Sequence, residues 1–185
     1  LFCFFLMTTL SLPLLAQMEV SNAAPITPEN LISNVFLGDG VEVISINHEG
    51  DPMAVGLFEQ GFAAIGIDRG IVMSTGRAVG MPGQIGVNSN ANQQASINNA
   101  DNNLQDDDIR TIVDDNSVQI HDVTRYTIEF IPTSDTLRFT YAFGSEEYPE
   151  WVCSDYNDIF GFFISGPGIT GPFENGAENI ALIPG

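Results

Sequence analysis

Five residues with oxygen-bearing side chains are close to one another in the sequence, in the last third of the chain and between two apolar runs. They are Glu146, Glu147, Asp155, Asn157 and Asp158. Hard cations such as Ca²⁺ bind about six to eight oxygens from carboxylates, amides and backbone carbonyls. The spacing is not that of an EF-hand, because Ile159 stands at the fifth position counted from Asp155. The sequence therefore predicts a calcium site of irregular spacing, with a polar loop satisfied by backbone and water as the alternative. Ca²⁺ is the one cofactor that it suggests.

The same acidic loop carries three large aromatic side chains, Tyr148, Trp151 and Tyr156. Aromatic faces beside carboxylates are suited to stacking on sugar rings, which predicts a ligand-binding role in carbohydrate recognition. The alternative is that the rings pack the loop onto the sheet beneath it, as large aromatic residues commonly do.

Paired carboxylates also raise the hypothesis of a glycan hydrolase, using Glu146 or Glu147 with Asp155 or Asp158. Such enzymes hold two carboxyl groups about 5–5.5 Å or about 6.5–9.5 Å apart. Adjacent residues of an extended segment point to opposite faces, so Glu146 and Glu147 do not form that pair themselves. No GxSxG, HExxH or CxxC motif supports a serine nucleophile or a zinc site, and His48 and His121 are predicted in loops or on the surface.

Two patterned runs bracket the acidic loop and predict the strands that position it. Apolar residues alternate with polar ones over Arg125–Phe130 and again over Leu137–Phe143, which predicts two half-buried strands. The turn residues between them, 132–135, predict an antiparallel hairpin. Ile159–Ile164 is apolar on both faces and predicts a central strand that is covered on both sides.

The N-terminal half is read from caps, turns and short apolar runs. Thr27 as N-cap and Pro28 at the first helical position predict a short helix that ends at Gly38, followed by a strand over 41–46 and a polar turn over 47–52. A hairpin is predicted from 62–67 and 71–75, and a second short helix over 104–113. Short strands with Gly/Pro turns and little helix predict an all-β fold, sandwich or jelly-roll-like, with one or two short helices.

The apolar run 1–16 resembles the hydrophobic region of a secretory signal peptide whose start is expected to be incomplete, with cleavage expected after Ala16 or alternatively after Ala23. The alternative is a buried N-terminal helix or strand. We predict a linker over 17–26 and one β domain over 27–185 that is truncated at its C-terminal end. Cys153 is then the single cysteine of the mature segment, which predicts a partner outside this fragment or a free thiol. No segment of the mature chain is long and apolar enough to span a bilayer.

The charge of the chain excludes several classes of function. Twenty-four acidic residues against five arginines and no lysine give a net charge of −19. A surface of this sign repels a phosphate backbone, which excludes nucleic-acid binding, and it disfavours anionic membranes. The absence of lysine excludes Schiff-base catalysis and the phosphate-loop GK[ST] motif.

Longer motifs carry a resemblance to a known family. The run FGSEEYPEWVCSDYNDIFGFFISGPG (143–168), together with GIVMSTG (70–76), resembles the choice-of-anchor L domain. The stretches TPENLISNVFLGDGVEVISINHEG (27–50) and NIALIPG (179–185) are also similar to it. The resemblance implies an exported bacterial surface protein, in gliding-type bacteria commonly exported by type IX secretion, and it supplies no catalytic residues.

The leading expectation is therefore a non-catalytic module, secreted or displayed on the bacterial cell surface. Its function is adhesion or another extracellular interaction, stabilised by Ca²⁺ at the acidic loop, and its partner is an extracellular glycan or a surface protein. The alternatives are a carbohydrate-binding module and a glycan hydrolase.

Overall fold

The computed structural model describes residues 18–21, 27–38, 40–76, 78, 104–113, 119–144 and 158–182. Over these residues the chain is built mostly from antiparallel strands with a few short helices, which confirms the all-β class with short helices. The strands are β1 (Glu19–Ser21), β2 (Val41–Glu49), β3 (Val55–Glu59), β4 (Gly70–Met73), β5 (Arg125–Pro132), β6 (Phe163–Ile164) and β7 (Glu178–Asn179). The α-helices are α1 (Pro28–Leu31), α2 (Phe62–Ile65) and α3 (Asp107–Val113), with single 3₁₀ turns at Pro52–Ala54 and Glu174–Gly176.

The first helix begins as its capping residues predict. The Thr27 side chain accepts a hydrogen bond from the backbone N–H of Asn30, and Pro28 occupies the first turn, where no amide donor is needed. After Leu31 the helix continues as a π-helical turn over Ile32–Phe36. The two residues at this junction, Leu31 and Ile32, are fully buried.

The longest ladder joins two strands that are far apart in the sequence. β2 pairs with β5 in antiparallel register, from Val41 opposite Pro132 to Glu49 opposite Arg125, with a register shift between Val43 and Ser45. The prediction of a polar turn over 47–52 is wrong for its first three residues, which extend β2. Their backbone groups are satisfied by the ladder with β5, whereas the turn chemistry seen in the sequence begins only at Gly50.

A three-stranded antiparallel sheet has the order β1-β3-β4. The predicted hairpin is wrong in its first strand: β4 pairs with Val55–Glu59, and residues 62–65 form α2 in the connection. β1 lies within the stretch 17–26 that the sequence assigns to a linker, and its Val20 is buried opposite Phe58. The predicted boundary of the signal peptide stays a prediction.

The hydrophobic core of the described residues is small and centres on Leu31 and Val55. Four partly buried side chains pack around this pair: Val35, Leu57, Ile71 and Tyr126. Together these six side chains come from α1 and the π-helical turn, from β3 and β4 of the three-stranded sheet, and from β5. The segment 28–36 therefore joins the three-stranded sheet to the two-stranded sheet of β2 and β5.

The C-terminal elements are shorter than the sequence patterns predict. Residues 137–144 form no strand ladder in the described part of the chain, and β5 takes β2 as its partner instead of a 137–143 strand. Within Ile159–Ile164 only the last two residues, β6, join a ladder, with β7. All six of these residues are partly exposed, so the prediction of a strand covered on both sides is also wrong. Apolar composition alone does not distinguish a central strand from an extended segment that packs through its rings.

Candidate functional site

Most of the predicted site residues lie outside the described residues. These are Glu146, Glu147, Tyr148, Trp151, Asp155, Tyr156 and Asn157. Asp158 is the one member that the structure describes, and it is partly exposed at the start of the segment 158–164. The calcium and sugar interpretations of this loop therefore stay predictions.

The two described segments that flank the acidic loop pack side by side through aromatic rings. The ring of Phe139 stacks on that of Phe162, with centroids 4.1 Å apart and planes 14° apart. Two residues further on, Tyr141 meets Phe160 at 5.7 Å. A step forward in one segment thus corresponds to a step backward in the other, so the segments run antiparallel. Gly144 and Asp158, the described ends of the loop, consequently lie at the same end of this pair.

The aromatic rings of segments 137–144 and 158–164 form a row in which they contact one another. Phe139 stacks on Phe162 at one face and lies 5.7 Å from Tyr141, with the two planes 27° apart. The Tyr141 hydroxyl donates to the Leu182 carbonyl oxygen at 3.4 Å. Phe143 differs, because it is 57 % exposed at the end of the row, next to the acidic loop. The row of rings therefore packs the two segments together, and Phe143 is its exposed end.

A cluster of charges lies at the end of the β2–β5 ladder where Glu49 is opposite Arg125. Arg125 donates to the Glu49 carboxylate through Nη2 at 2.7 Å and through Nε at 3.0 Å, and to Asp106 through Nη1 at 3.0 Å. Asp106 also accepts the backbone N–H of Ile109 at 3.0 Å, which caps the start of α3. Burial opposes the charge of Arg125, but its hydrogen bonds to both carboxylates outweigh burial and raise its pKa. The cluster joins α3 to the ribbon of β2 and β5.

His48 and Tyr126 are cross-strand partners one step along the same ladder. Their ring centroids are 4.9 Å apart, and the Tyr126 hydroxyl donates to the Pro28 carbonyl oxygen at 3.0 Å. Burial, followed by the nearby charge of Glu29, raises the pKa of Tyr126, and burial lowers the pKa of His48. The prediction of a loop or surface role is wrong for His48, whereas His121 is exposed as predicted. A sequence pattern could have placed His48 in a strand only if β2 had been extended past Ile46.

No three His, Cys, Asp or Glu side chains in the described ranges are grouped to hold a metal ion. Arg125 already occupies the two carboxylates nearest to it. The geometry of the described charge cluster is therefore that of a structural ion pair. Among the same described residues, no helix is long and apolar enough to cross a membrane.

An exposed apolar tip, defined as Phe62–Ile65, projects from the connection between β3 and β4. All four residues are exposed, and Phe62 keeps 70 % of its surface accessible. The helical turn is held by backbone hydrogen bonds from Ile65 and Gly66 to the carbonyls of Gly61 and Phe62, and it ends at Gly66 in the left-handed region at φ 74°. Sequence reasoning missed this surface because it assigned the run to a strand. The flanking glycines, Gly61 and Gly66, were the available signal.

Comparison with known proteins shows to which family the chain belongs. The family model for the choice-of-anchor L domain matches residues 19–185, nearly the whole chain. No curated protein and no solved structure matches the chain. Members of this family are exported, surface-associated modules, and the match agrees with the motifs of residues 143–168 and with the β-rich fold. The chain belongs to the choice-of-anchor L domain family.

Proposed function

We propose that this chain is a non-catalytic adhesion module of the bacterial cell surface, and that its contact surface is the apolar tip Phe62–Ile65. The observation that carries this proposal is the exposure of Phe62, which is 70 % accessible in the connection between β3 and β4. The four residues of the tip are consecutive, apolar and exposed, and exposed apolar patches mark interaction sites. Burying one such aromatic side chain in a partner contributes about 1.5–3 kcal/mol.

The tip is also preorganised for contact. Its turn is closed by the Gly61 N–H bond to the Asp68 carbonyl at 3.0 Å and by its own helical hydrogen bonds. A backbone that is already held in place loses less conformational entropy on binding than a mobile loop does. The neighbouring charges are the Arg69–Glu59 ion pair, at 3.4 Å, and Asp68. With a net charge of −19 on the chain, the favoured partners are neutral or cationic surfaces.

Binding of the fluorescently labelled protein to bacterial cells and to a glycan array tests this proposal. Phe62→Ser removes the exposed ring of the tip, and Phe143→Ser removes the exposed ring beside the acidic loop, so the two variants are matched in chemistry. We expect saturable binding that Phe62→Ser weakens at least about tenfold, which corresponds to about 1.4 kcal/mol. Equal binding of wild type and Phe62→Ser, with loss in Phe143→Ser, would assign adhesion to the acidic loop instead.

Calcium binding at Glu146, Glu147, Asp155, Asn157 and Asp158 is a second part of the proposal. Its support is the antiparallel packing of segments 137–144 and 158–164, which brings Gly144 and Asp158 to one end. A cation that binds only the folded state raises stability by mass action, by about 2.7 kcal/mol at one hundred times its Kd. We expect the thermal midpoint to be higher in millimolar Ca²⁺ than in chelator, and Asp158→Asn to reduce that difference. An unchanged midpoint would exclude the site.

Carbohydrate recognition by Tyr148, Trp151 and Tyr156 is the alternative function. The observation that favours it is the exposed Phe143 ring at the described rim of the same loop. Binding to defined glycans that is lost in Trp151→Ala and kept in Phe62→Ser would establish this alternative. Turnover of a bound glycan that is lost in Glu146→Gln or Glu147→Gln would instead establish the hydrolase.

A further inference from the structure

The imidazole of His48 lies at the point where the ribbon of β2 and β5 meets α1. Its ring packs on Tyr126 at 4.9 Å, and Tyr126 in turn donates to the Pro28 carbonyl at 3.0 Å. One ring therefore supports the hydrogen bond that attaches the first turn of α1 to the ribbon. The imidazole is thus in direct contact with the residue that makes this attachment, and Tyr126 also packs against Leu31 and Val55.

The Nε2 atom of His48 is buried and has no hydrogen-bond partner in the described part of the chain. The hydroxyl oxygen of Thr124, two residues before Tyr126, is also buried and unpaired there. A neutral imidazole can leave Nε2 without a proton, whereas the imidazolium carries an N–H on both nitrogens. Protonation thus places a charged donor in a position without an acceptor, which is unfavourable in the folded state.

The charges that face this imidazole come from three directions. Glu29 lies on α1, and Glu49 and Asp51 lie on either side of Gly50 at the end of β2. On β5, the positive charge of Arg125 is paired with Glu49 and with Asp106 before α3. The three carboxylates Glu29, Asp51 and Glu49 favour the imidazolium, but burial outweighs them and keeps the pKa of His48 below its ordinary 6.5.

The attached segment is the one that connects the described sheets. Leu31 packs against Val55 of the three-stranded sheet, and Phe36 lies 6.3 Å from Phe162 in the aromatic row. We propose that His48 is an acid-sensitive latch, whose protonation weakens the docking of the segment 28–36 on the β2–β5 ribbon. An exported module meets the external pH directly, so mild acid loosens this joint before the carboxylates of the chain titrate.

The sign of the effect follows from the two states of the chain. In the unfolded chain His48 binds its proton near pH 6.5, and in the folded chain only at lower pH. Between these values the unfolded state holds more protons, so stability is fully present above pH 6.5 and falls as the pH drops through the folded-state pKa. The segment 28–36 is the part expected to respond first.

Nuclear magnetic resonance of the wild-type chain tests the latch without any substitution. We expect one imidazole to titrate below its ordinary value, and the amide protons of 31–36 to lose protection from hydrogen exchange over the same pH range, after correction for intrinsic rates. His48→Phe keeps an apolar ring against Tyr126 and is expected to make the protection of 31–36 independent of pH between about 5 and 7.5.

His121→Gln is the matched control, because it removes the other histidine, which is exposed. It should retain the wild-type pH dependence. The latch is refuted if the His48 imidazole titrates at or above 6.5. It is also refuted if 31–36 lose protection equally in wild type and His48→Phe. Should His48→Phe not fold, His48→Gln and the wild-type titration decide between the same two results.

Discussion

Substitution of Leu31 by alanine tests whether one buried side chain holds the two sheets together. Leu31 has no exposed surface and packs with Val55 between α1 and the three-stranded sheet, while Tyr126 of the ribbon contacts the same pair. Truncating a fully buried leucine removes its apolar burial and leaves a cavity, which costs about 2–5 kcal/mol. For a chain of this size each kcal/mol lowers the melting temperature by about 2–4 °C, so we expect a decrease of about 4–20 °C.

Leu182→Ala is the matched control, because it makes the same chemical change at a side chain that is 68 % exposed. Its free energy of unfolding should stay within about 0.5 kcal/mol of wild type. Urea unfolding followed by circular dichroism at neutral pH measures both variants. If Leu31→Ala costs no more than Leu182→Ala, Leu31 does not belong to a core and the proposed joint between the sheets is wrong.

Three further predictions concern the ribbon of β2 and β5. Arg125→Gln should cost about 1–3 kcal/mol in urea unfolding, because it leaves Glu49 and Asp106 without their cation, whereas Arg69→Gln, at an exposed pair, should cost at most about 1 kcal/mol. Gly50→Ala should cost about 1–3 kcal/mol, since φ is 117° and the added Cβ would lie 2.5 Å from the Val123 oxygen, while Gly38→Ala, with open space around it, should be nearly neutral. Because burial raises the pKa of Tyr126, the unfolded chain loses this proton first, and stability should fall as the pH rises above 10. An ultraviolet titration in which all four tyrosines ionise together at their ordinary pKa would contradict this.

The elements that the sequence predicts well are those fixed by neighbouring residues. The N-cap of Thr27 and the proline at the first turn of α1 act within one helical turn, and both are found as predicted. The alternation from Arg125 to Phe130 depends only on a two-residue period, and β5 includes that run. The all-β class follows from the same short-range signals.

The elements that the sequence predicts poorly depend on a distant partner. β2 continues through His48 because β5, far along the chain, supplies its hydrogen bonds. β4 pairs with 55–59, which leaves the run 62–65 in the connection without a strand partner. This run forms the helix α2 instead of a strand. Alternation over 137–143 places Phe139 and Tyr141 on one side, where their rings contact each other. It predicts a half-buried strand wrongly, because Leu137, Tyr141 and Phe143 are exposed and the alternation does not specify a partner. The candidate site was predicted as a set of residue types, of which the structure describes Asp158.

By itself the sequence determined the family, the acidic charge, the absence of lysine chemistry and the local starts of helices and strands. All of these depend on residue identity or on spacings of a few residues. Only the tertiary structure decided that β2 pairs with β5, that the segment 28–36 joins the two sheets, and that Phe62 is exposed while the Nε2 of His48 is buried. Burial and long-range pairing result from which surfaces meet, and the free energy of those contacts is shared among residues that lie far apart in the chain.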